Sequence, residues 1–158
     1  MKTLIIYATK YGTTADCAAL LKNKLSGEVT IADINKTNPL LKGYDQIIIG
    51  GSVYIGKTAK KLRNFCTANA GELRNKKLGL FLCCALTDQA EQVFADSFPA
   101  ELLKAAKAKG IFGSEARLDK MGFLDKTIIK AVTKGDFSNF KISHENIERF
   151  AKQMDNKI

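Results

Sequence analysis

Three threonines and a lysine surround a glycine in the short segment Thr9-Lys10-Tyr11-Gly12-Thr13-Thr14. The hydroxyl groups can donate hydrogen bonds to phosphate oxygens, and Lys10 adds a full positive charge. Gly12 lets the backbone turn its N–H groups inward, and a following helix would add the partial positive charge of its N-terminus. We therefore interpret the segment as an anion-binding loop suited to phosphate. The alternative is a strand-to-helix turn that Thr13 or Thr14 caps.

A second glycine-rich segment, Gly51-Ser52-Val53-Tyr54-Ile55-Gly56-Lys57-Thr58, matches the nucleotide P-loop pattern G-x-x-x-x-G-K-[ST] at every position. It follows an apolar run and precedes a helical pattern, which is the context that a P-loop requires. However, its variable residues are bulky, and a P-loop NTPase also needs an Asp that holds Mg²⁺ after a later strand. Asp88 is a weak substitute for that residue. A P-loop NTPase is thus kept as an alternative function.

Other residues that often do chemistry are sparse. The four cysteines, Cys17, Cys66, Cys83 and Cys84, form no C-x-x-C pair, and His144 is the only histidine. This composition argues against zinc ribbons and iron–sulfur sites, so we predict no metal site. We also predict no catalytic side chain, because no Ser-His-Asp or Cys-His arrangement can be assembled. Cys83 and Cys84 lie in an apolar run and are interpreted as reduced core thiols, which favours a cytoplasmic location.

The elements that must position the two glycine-rich segments follow from hydrophobic patterning. Apolar runs rich in β-branched residues predict strands at 3–8, 29–33, 45–51 and 77–86, with a weaker strand at 111–117. Helical spacing predicts helices at 14–25, 57–68, 89–109 with a break near Pro99, and 144–154 after the N-cap Ser143. Apolar strands that alternate with helices are typical of a parallel sheet covered on both faces. The predicted fold is a doubly wound five-stranded α/β sheet in one domain, 1–158.

Ligands of such sheets bind beyond the carboxyl ends of the strands, where the strand order reverses. The two glycine-rich segments follow the first and third predicted strands. Both are therefore candidates to hold a phosphate, and the P-loop pattern of the second competes with the anion-binding loop of the first.

Charge suggests several classes of partner. The 158 residues include 25 Lys+Arg and 16 Asp+Glu, for a net charge of +9, and seven of these bases lie in 57–77 against the single acid Glu72. Such a run can be a solvated helix face, a docking site for an acidic redox partner, an attractant for a small anionic substrate, or a contact with an anionic membrane. No aromatic residues of a nucleic-acid-binding module are interleaved with it, so no nucleic-acid partner is expected.

The segment 125–134 lies outside the simple alternation of strands and helices. It is predicted to be amphipathic, with Ile128, Ile129 and Val132 on one side and lysines 126, 130 and 134 on the other. This pattern favours an anionic substrate or a peripheral contact with a membrane surface. No run approaches the roughly 20 apolar residues of a membrane span.

The loop at 9–14, together with Ile48-Ile49-Gly50-Gly51-Ser52-Val53-Tyr54, resembles the flavodoxin family. Within it, the sequence is most similar to the subfamily of menaquinone-dependent protoporphyrinogen dehydrogenases, including Tyr44-Asp45 and the aromatic and basic stretch before the last helix. The resemblance implies the strand order 2-1-3-4-5 and a non-covalently bound FMN. It places the FMN phosphate at Thr9, Lys10, Gly12, Thr13 and Thr14. It places the isoalloxazine ring between Ser52-Val53-Tyr54-Ile55-Gly56 and Cys84-Ala85-Leu86-Thr87-Asp88.

Tyr54 is the first candidate to stack on the flavin ring and Tyr11 the second. The alternative for Tyr54 is a half-buried aromatic at a strand end. Electron transfer would then be the chemistry of the flavin. An electron carrier and a protoporphyrinogen-type oxidoreductase with a quinone acceptor both agree with the resemblance, and a cofactor-free binding module is a further alternative. The expected location is cytoplasmic, with a peripheral position at the inner face of the membrane as a variant.

Overall fold

The computed structural model describes residues 1–54, 56–85 and 87–156, and at Thr87 it describes the backbone only. Five strands in this part of the chain form one parallel sheet: β1 (Lys2–Ala8), β2 (Glu28–Asp33), β3 (Gln46–Ser52), β4 (Lys77–Cys83) and β5 (Ala108–Ile111). Their order is β2-β1-β3-β4-β5. The prediction of a doubly wound parallel sheet with order 2-1-3-4-5 is confirmed.

The helices are α1 (Thr13–Lys22), α2 (Lys60–Ala68), α3 (Ala70–Leu73), α4 (Ala90–Ser97) and α5 (Ala100–Ala105) between the strands, and α6 (Phe123–Thr133) and α7 (His144–Met154) after β5. Ser143 caps α7 as predicted, since its hydroxyl accepts a hydrogen bond from the Asn146 N–H at 3.2 Å. Most of the helices cover the sheet, but α6 buries no residue.

Both faces of the sheet are covered, and β3 shows this most directly. Ile47 and Ile49 face a core cluster that includes side chains of α2 to α5, whereas Ile48 faces a second cluster built with α1 and α7. All three isoleucines are fully buried. A continuous apolar run is therefore the pattern that a central parallel strand requires.

Two predicted elements near the end of the sheet are wrong in extent. The predicted helix at 89–109 breaks at Pro99 as expected, but its last residues belong to β5, where Ala108 pairs with Gly79. The predicted strand at 111–117 keeps only Ile111. The four residues of β5, Ala-Lys-Gly-Ile, contain one β-branched side chain, so the strand signal was weak.

Residues 114–141 form an insert between β5 and α7. The two ends of the insert lie next to each other. Gly113 and Ile142 form an antiparallel bridge, and the Ser114 N–H donates to the Lys141 carbonyl at 3.3 Å. The insert contains a short 3₁₀ turn (Leu118–Lys120) and α6. Its two ends are thus fixed at the edge of the sheet, near the carboxyl ends of the strands.

The four cysteines are buried and form no disulfide. Burial raises the pKa of the Cys66 thiol to about 12. A hydrogen bond with Cys83, together with burial, raises the pKa of Cys17 well above its ordinary value. Cys17 and Cys66 therefore stay protonated in the core, and Cys83 and Cys84 are buried there as well. Within the described residues, no helix is long and apolar enough to cross a membrane.

Candidate functional site

The loop after β1 ends in an uncapped helix N-terminus. Gly12 is the N-cap of α1 and has φ 96°, a left-handed conformation that glycine adopts without strain. Its N–H donates to the Thr9 hydroxyl at 2.9 Å, and no side chain caps the helix. The alternative in which Thr13 or Thr14 is the cap is therefore wrong, because both residues lie inside α1. The first N–H groups of α1 are available to an anion.

The Thr14 hydroxyl lies at the start of α1 without a hydrogen-bond partner among the described residues. The side chain is fully buried. Burying a hydroxyl without a partner costs about 1–3 kcal/mol, so such a group points to a missing acceptor or donor. At the N-terminus of α1, an anionic oxygen is the acceptor that fits. The predicted phosphate loop thus has the geometry of an anion site.

The insert brings two further cations to this loop. The Arg117 guanidinium donates to the Tyr11 carbonyl at 3.3 Å and to the carboxylates of Asp16 and Glu115. A Cβ atom at Gly12 would lie 2.8 Å from Arg117 Nη1 and 4.0 Å from Lys120 Nζ. The hydrogen bond to Asp16 raises the pKa of Arg117. Arg117 therefore holds the insert against the loop, and because Asp16 and Glu115 already engage its guanidinium, it adds little positive charge for a ligand.

Asp125, at the start of α6, joins the loops that follow β1 and β3. Its carboxylate accepts hydrogen bonds from the hydroxyls of Tyr11 and Tyr54 and lies 2.8 Å from Lys10 Nζ. The Lys10 ammonium also sits over the Tyr54 ring, 3.6 Å from its centroid, which is a cation–π contact. The loops after β1 and β3 are thus brought together. Sequence reasoning missed Asp125 as a site residue and treated it only as the first residue of an amphipathic segment.

The loop after β3 does not have the shape of a nucleotide P-loop. Tyr54 and Lys57 exchange backbone hydrogen bonds of 3.0 and 3.4 Å across a turn in which Gly56 has φ 82°. The helix α2 begins only at Lys60, and the Thr58 N–H is already bonded to the Ser97 hydroxyl at 3.3 Å. In a P-loop, by contrast, the backbone N–H groups of the loop are free, and the loop continues directly into the N-terminus of the helix. The match to the P-loop pattern therefore does not correspond to NTPase geometry.

The remaining predicted site residues lie at the ends of β3 and β4. Ser52 pairs with Cys83 in the sheet, and the half-buried Val53 donates its N–H to the Cys83 carbonyl at 3.0 Å. The two strands therefore deliver their loops side by side. Beyond them, Cys84 is buried, Ala85 is half-buried, and Asp88 is exposed in a 3₁₀ turn that includes the backbone of Thr87. Ile55, Leu86 and the side chain of Thr87 lie outside the described residues.

Tyr54 is partly exposed, at 38%, and lies beside Lys10 and Tyr11. An aromatic face so placed can stack on a planar ligand. No group of three or more His, Cys, Asp or Glu side chains in the described ranges is arranged to hold a metal ion. The chemistry available here is thus binding of an anionic, aromatic molecule.

Replacing Asp125 with alanine is expected to loosen the insert. The change removes charge-assisted hydrogen bonds of about 1.5–3 kcal/mol, so the open population of the insert should rise about tenfold or more. Limited digestion with trypsin measures this as faster cleavage after Lys120, Lys126 and Lys130. Asp136→Ala is the matched control, because the bonds that Asp136 accepts from Ser138 are local to the same insert. Equal cleavage of Asp125→Ala and the wild type would show that the carboxylate does not hold the insert.

Residues 4–141 match the family model described as "Flavodoxin domain". No curated protein sequence matches the chain. Among solved structures, oxidised flavodoxin 1 from Bacillus cereus is 16% identical, with a TM-score of 0.59 and coverage of 100% of this chain and 99% of that one. A flavodoxin described as WrbA-like, from Agrobacterium tumefaciens, is 17% identical, with a TM-score of 0.50 and 99% coverage of both chains.

A larger protein contains a similar fold. The rubredoxin oxygen:oxidoreductase of Desulfovibrio gigas is 15% identical, with a TM-score of 0.56, and the match covers 97% of this chain. The chain spans only 36% of that protein's length. These likenesses concern the fold, which occurs both alone and as part of longer chains.

Proposed function

The chain belongs to the flavodoxin domain family, and from that membership we propose that it binds FMN non-covalently and transfers electrons through it. The observation that carries the proposal is the buried Thr14 hydroxyl at the uncapped N-terminus of α1, which lacks a partner among the described residues. This position is the point between β1 and β3 where the strand order reverses, and flavodoxin-like sheets bind FMN there. A phosphate group supplies the acceptor that the loop lacks.

The residues present fit FMN. The N–H groups at the start of α1 and the hydroxyls of Thr13 and Thr14 would hold the phosphate, with the ammonium groups of Lys10 and Lys120 nearby. Gly12 would keep the loop open toward the ligand, because a side chain there would meet Arg117. When bound, FMN supplies the redox chemistry, and the protein supplies binding, orientation and local charge.

The direct test compares FMN with riboflavin, which lacks the phosphate. Apo-protein is titrated with each flavin while flavin fluorescence is recorded. FMN should bind at least about a hundredfold more tightly, because two hydrogen bonds to a charged group contribute about 1.5–3 kcal/mol each. Equal affinity for both flavins would contradict the proposed phosphate site. Absence of any flavin binding would favour the cofactor-free binding module instead.

The proposed partner of the electron carrier is an acidic redox protein. The basic segment 57–77 supports this only in part, because Arg63, Arg74 and Lys76 bind the Thr58 carbonyl, Glu101 and the Tyr44 carbonyl, respectively. The exposed lysines of this segment are Lys57, which lies in the loop of Tyr54, and Lys60 and Lys61, which begin α2. An acidic partner attracted to them would approach close to the flavin site.

A second candidate is an oxidoreductase that acts on a small anionic substrate of the porphyrinogen type, with a quinone as acceptor. Lys120, which the insert places beside the loop, favours this candidate because its ammonium group would attract a substrate carboxylate. Mixing the reduced, FMN-loaded protein with a quinone distinguishes the two candidate functions. Rapid reoxidation supports the enzyme, whereas reoxidation only by an acidic redox protein supports the carrier.

A further inference from the structure

Helix α6 in the insert exposes its apolar side chains. Phe123 is 81% exposed, Leu124 74%, Val132 68% and Ile128 41%. The side chain that the helix turns toward the protein is instead Asp125, which is only 16% exposed and contacts Lys10, Tyr11 and Tyr54. A helix that packs on a domain normally does the reverse and buries its apolar face.

This orientation corrects the sides predicted from the sequence. Ile129 is half-buried and turns inward, whereas Ile128 and Val132 face outward with Phe123 and Leu124. The described residues contain seven exposed large hydrophobic side chains, and four of them lie on α6. The apolar surface is therefore concentrated on one helix, which is typical of an interaction site.

The charges around this face are mostly positive. Residues 120–134 contain four lysines, at 120, 126, 130 and 134, and Asp125 as the only acid. Asp125 is turned inward and paired with Lys10, so it does not offset the lysines at the surface. Asp119 and Asp136 flank the segment on either side. The net charge of +9 adds attraction for any anionic surface.

We propose that α6 docks this protein on an anionic lipid surface, with Phe123, Leu124, Ile128 and Val132 inserted among the lipids and the lysines at the headgroups. An apolar helix face with adjacent lysines is the pattern of a helix that lies in a membrane interface. Lysine stems can extend along apolar surface while the ammonium stays at the phosphates. The inference goes beyond electron transfer, and of the two segments with an expected membrane contact, 57–77 and 125–134, it selects the second.

A lipid surface fits these observations better than an acidic protein does. The apolar side chains project from a helix in which no residue is buried, whereas protein interfaces require a shaped, complementary surface with the density of a protein interior. A fluid lipid surface needs only apolar side chains on one side and positive charge beside them. The inward Asp125 contacts fix which side of α6 faces outward, so the docking face is present before any lipid is met.

The test is co-sedimentation of the 158-residue chain with vesicles of phosphatidylcholine containing phosphatidylglycerol, and with vesicles of phosphatidylcholine alone. Wild type should bind the anionic vesicles and bind the neutral vesicles much less. Replacing Phe123 and Leu124 with serine should weaken binding by on the order of tenfold or more, since each side chain loses apolar burial. Changing Lys130 to glutamine should weaken it about fivefold.

Leu40→Ser is the matched control, because Leu40 is 79% exposed but lies far along the chain from α6. It should bind vesicles like the wild type. Equal binding to both kinds of vesicle, no binding to either, or equal loss in Leu40→Ser and the α6 variant would overturn the proposal. Concentration-dependent dimerisation that disappears in the Phe123/Leu124 variant would overturn it in favour of a second copy as the occupant. The test needs no flavin, so its outcome is independent of the FMN proposal.

Discussion

Replacing Thr14 with valine is expected to weaken FMN binding ten- to a hundredfold and to leave the apo-protein at least as stable as the wild type. The Thr14 side chain is fully buried and its hydroxyl has no partner among the described residues. Removing it from the apo-protein therefore breaks no hydrogen bond and relieves a desolvation cost of about 1–3 kcal/mol. In the loaded protein the same change would remove a hydrogen bond to a charged phosphate, which contributes about 1.5–3 kcal/mol.

Two measurements on the same variant separate these effects. Urea unfolding of the apo-protein gives its free energy of unfolding, and titration with FMN gives the dissociation constant. The free energy of unfolding of the apo-protein should stay equal or rise, whereas the affinity for FMN should fall. A variant that loses stability in the apo form would show that the hydroxyl already has a partner there.

Thr58→Val is the matched control. Thr58 also has a buried hydroxyl without a partner in the described part of the chain, but it lies in the loop after β3 rather than at the start of α1. The apo-protein should respond as it does in Thr14→Val, whereas the affinity for FMN should change less than about twofold, because no charged hydrogen bond is lost. An equal loss of affinity in both variants would show that Thr14 has no special role in holding the phosphate.

Most of the fold could be predicted because its central strands carry a local signal. β1, β3 and β4 are buried on both faces, so each appears as a continuous apolar run. β5 lacked this signal, because a four-residue sequence that contains a lysine and a glycine is equally compatible with the end of a helix. Its pairing with β4 is a tertiary interaction, for example Ala108 with Gly79, and no local pattern reports it.

The anion loop could be predicted for a similar reason, since its residue types lie within six consecutive positions. The role of Asp125 could not, because its contact with Tyr11 joins residues 114 positions apart. A single carboxylate within a basic amphipathic segment resembles an ordinary surface residue. The orientation of α6 could not be predicted either. The helical period gives the angles between side chains around the helix axis, but it does not say which side of the helix faces the protein.

Gly50 and Gly51 show how packing, rather than loop flexibility, accounts for a glycine pair. Both glycines lie in β3 and pair with β1 and β4. A Cβ at Gly51 would meet Thr58 and Leu62 at 2.8 and 2.9 Å, and a Cβ at Gly50 would meet the Phe81 ring at 2.0 Å. Each glycine therefore makes room for a neighbour on one face of the sheet.

Gly50→Ala is expected to destabilise the protein by about 3 kcal/mol, the upper end of the usual cost of overpacking. The Phe81 ring cannot move away from the new methyl group, because Phe112 stacks on it at 4.5 Å and Phe150 contacts its edge. Urea unfolding measures the loss. Adding Phe81→Leu should recover part of it, since residues in contact are not additive. Gly71→Ala is the control and should stabilise by up to about 1 kcal/mol, because a helical glycine with open space gains propensity. Equal stability of Gly50→Ala and wild type would mean that β3 can move away from the Phe81 ring. In that case the sheet would not hold the loop after β3 rigidly.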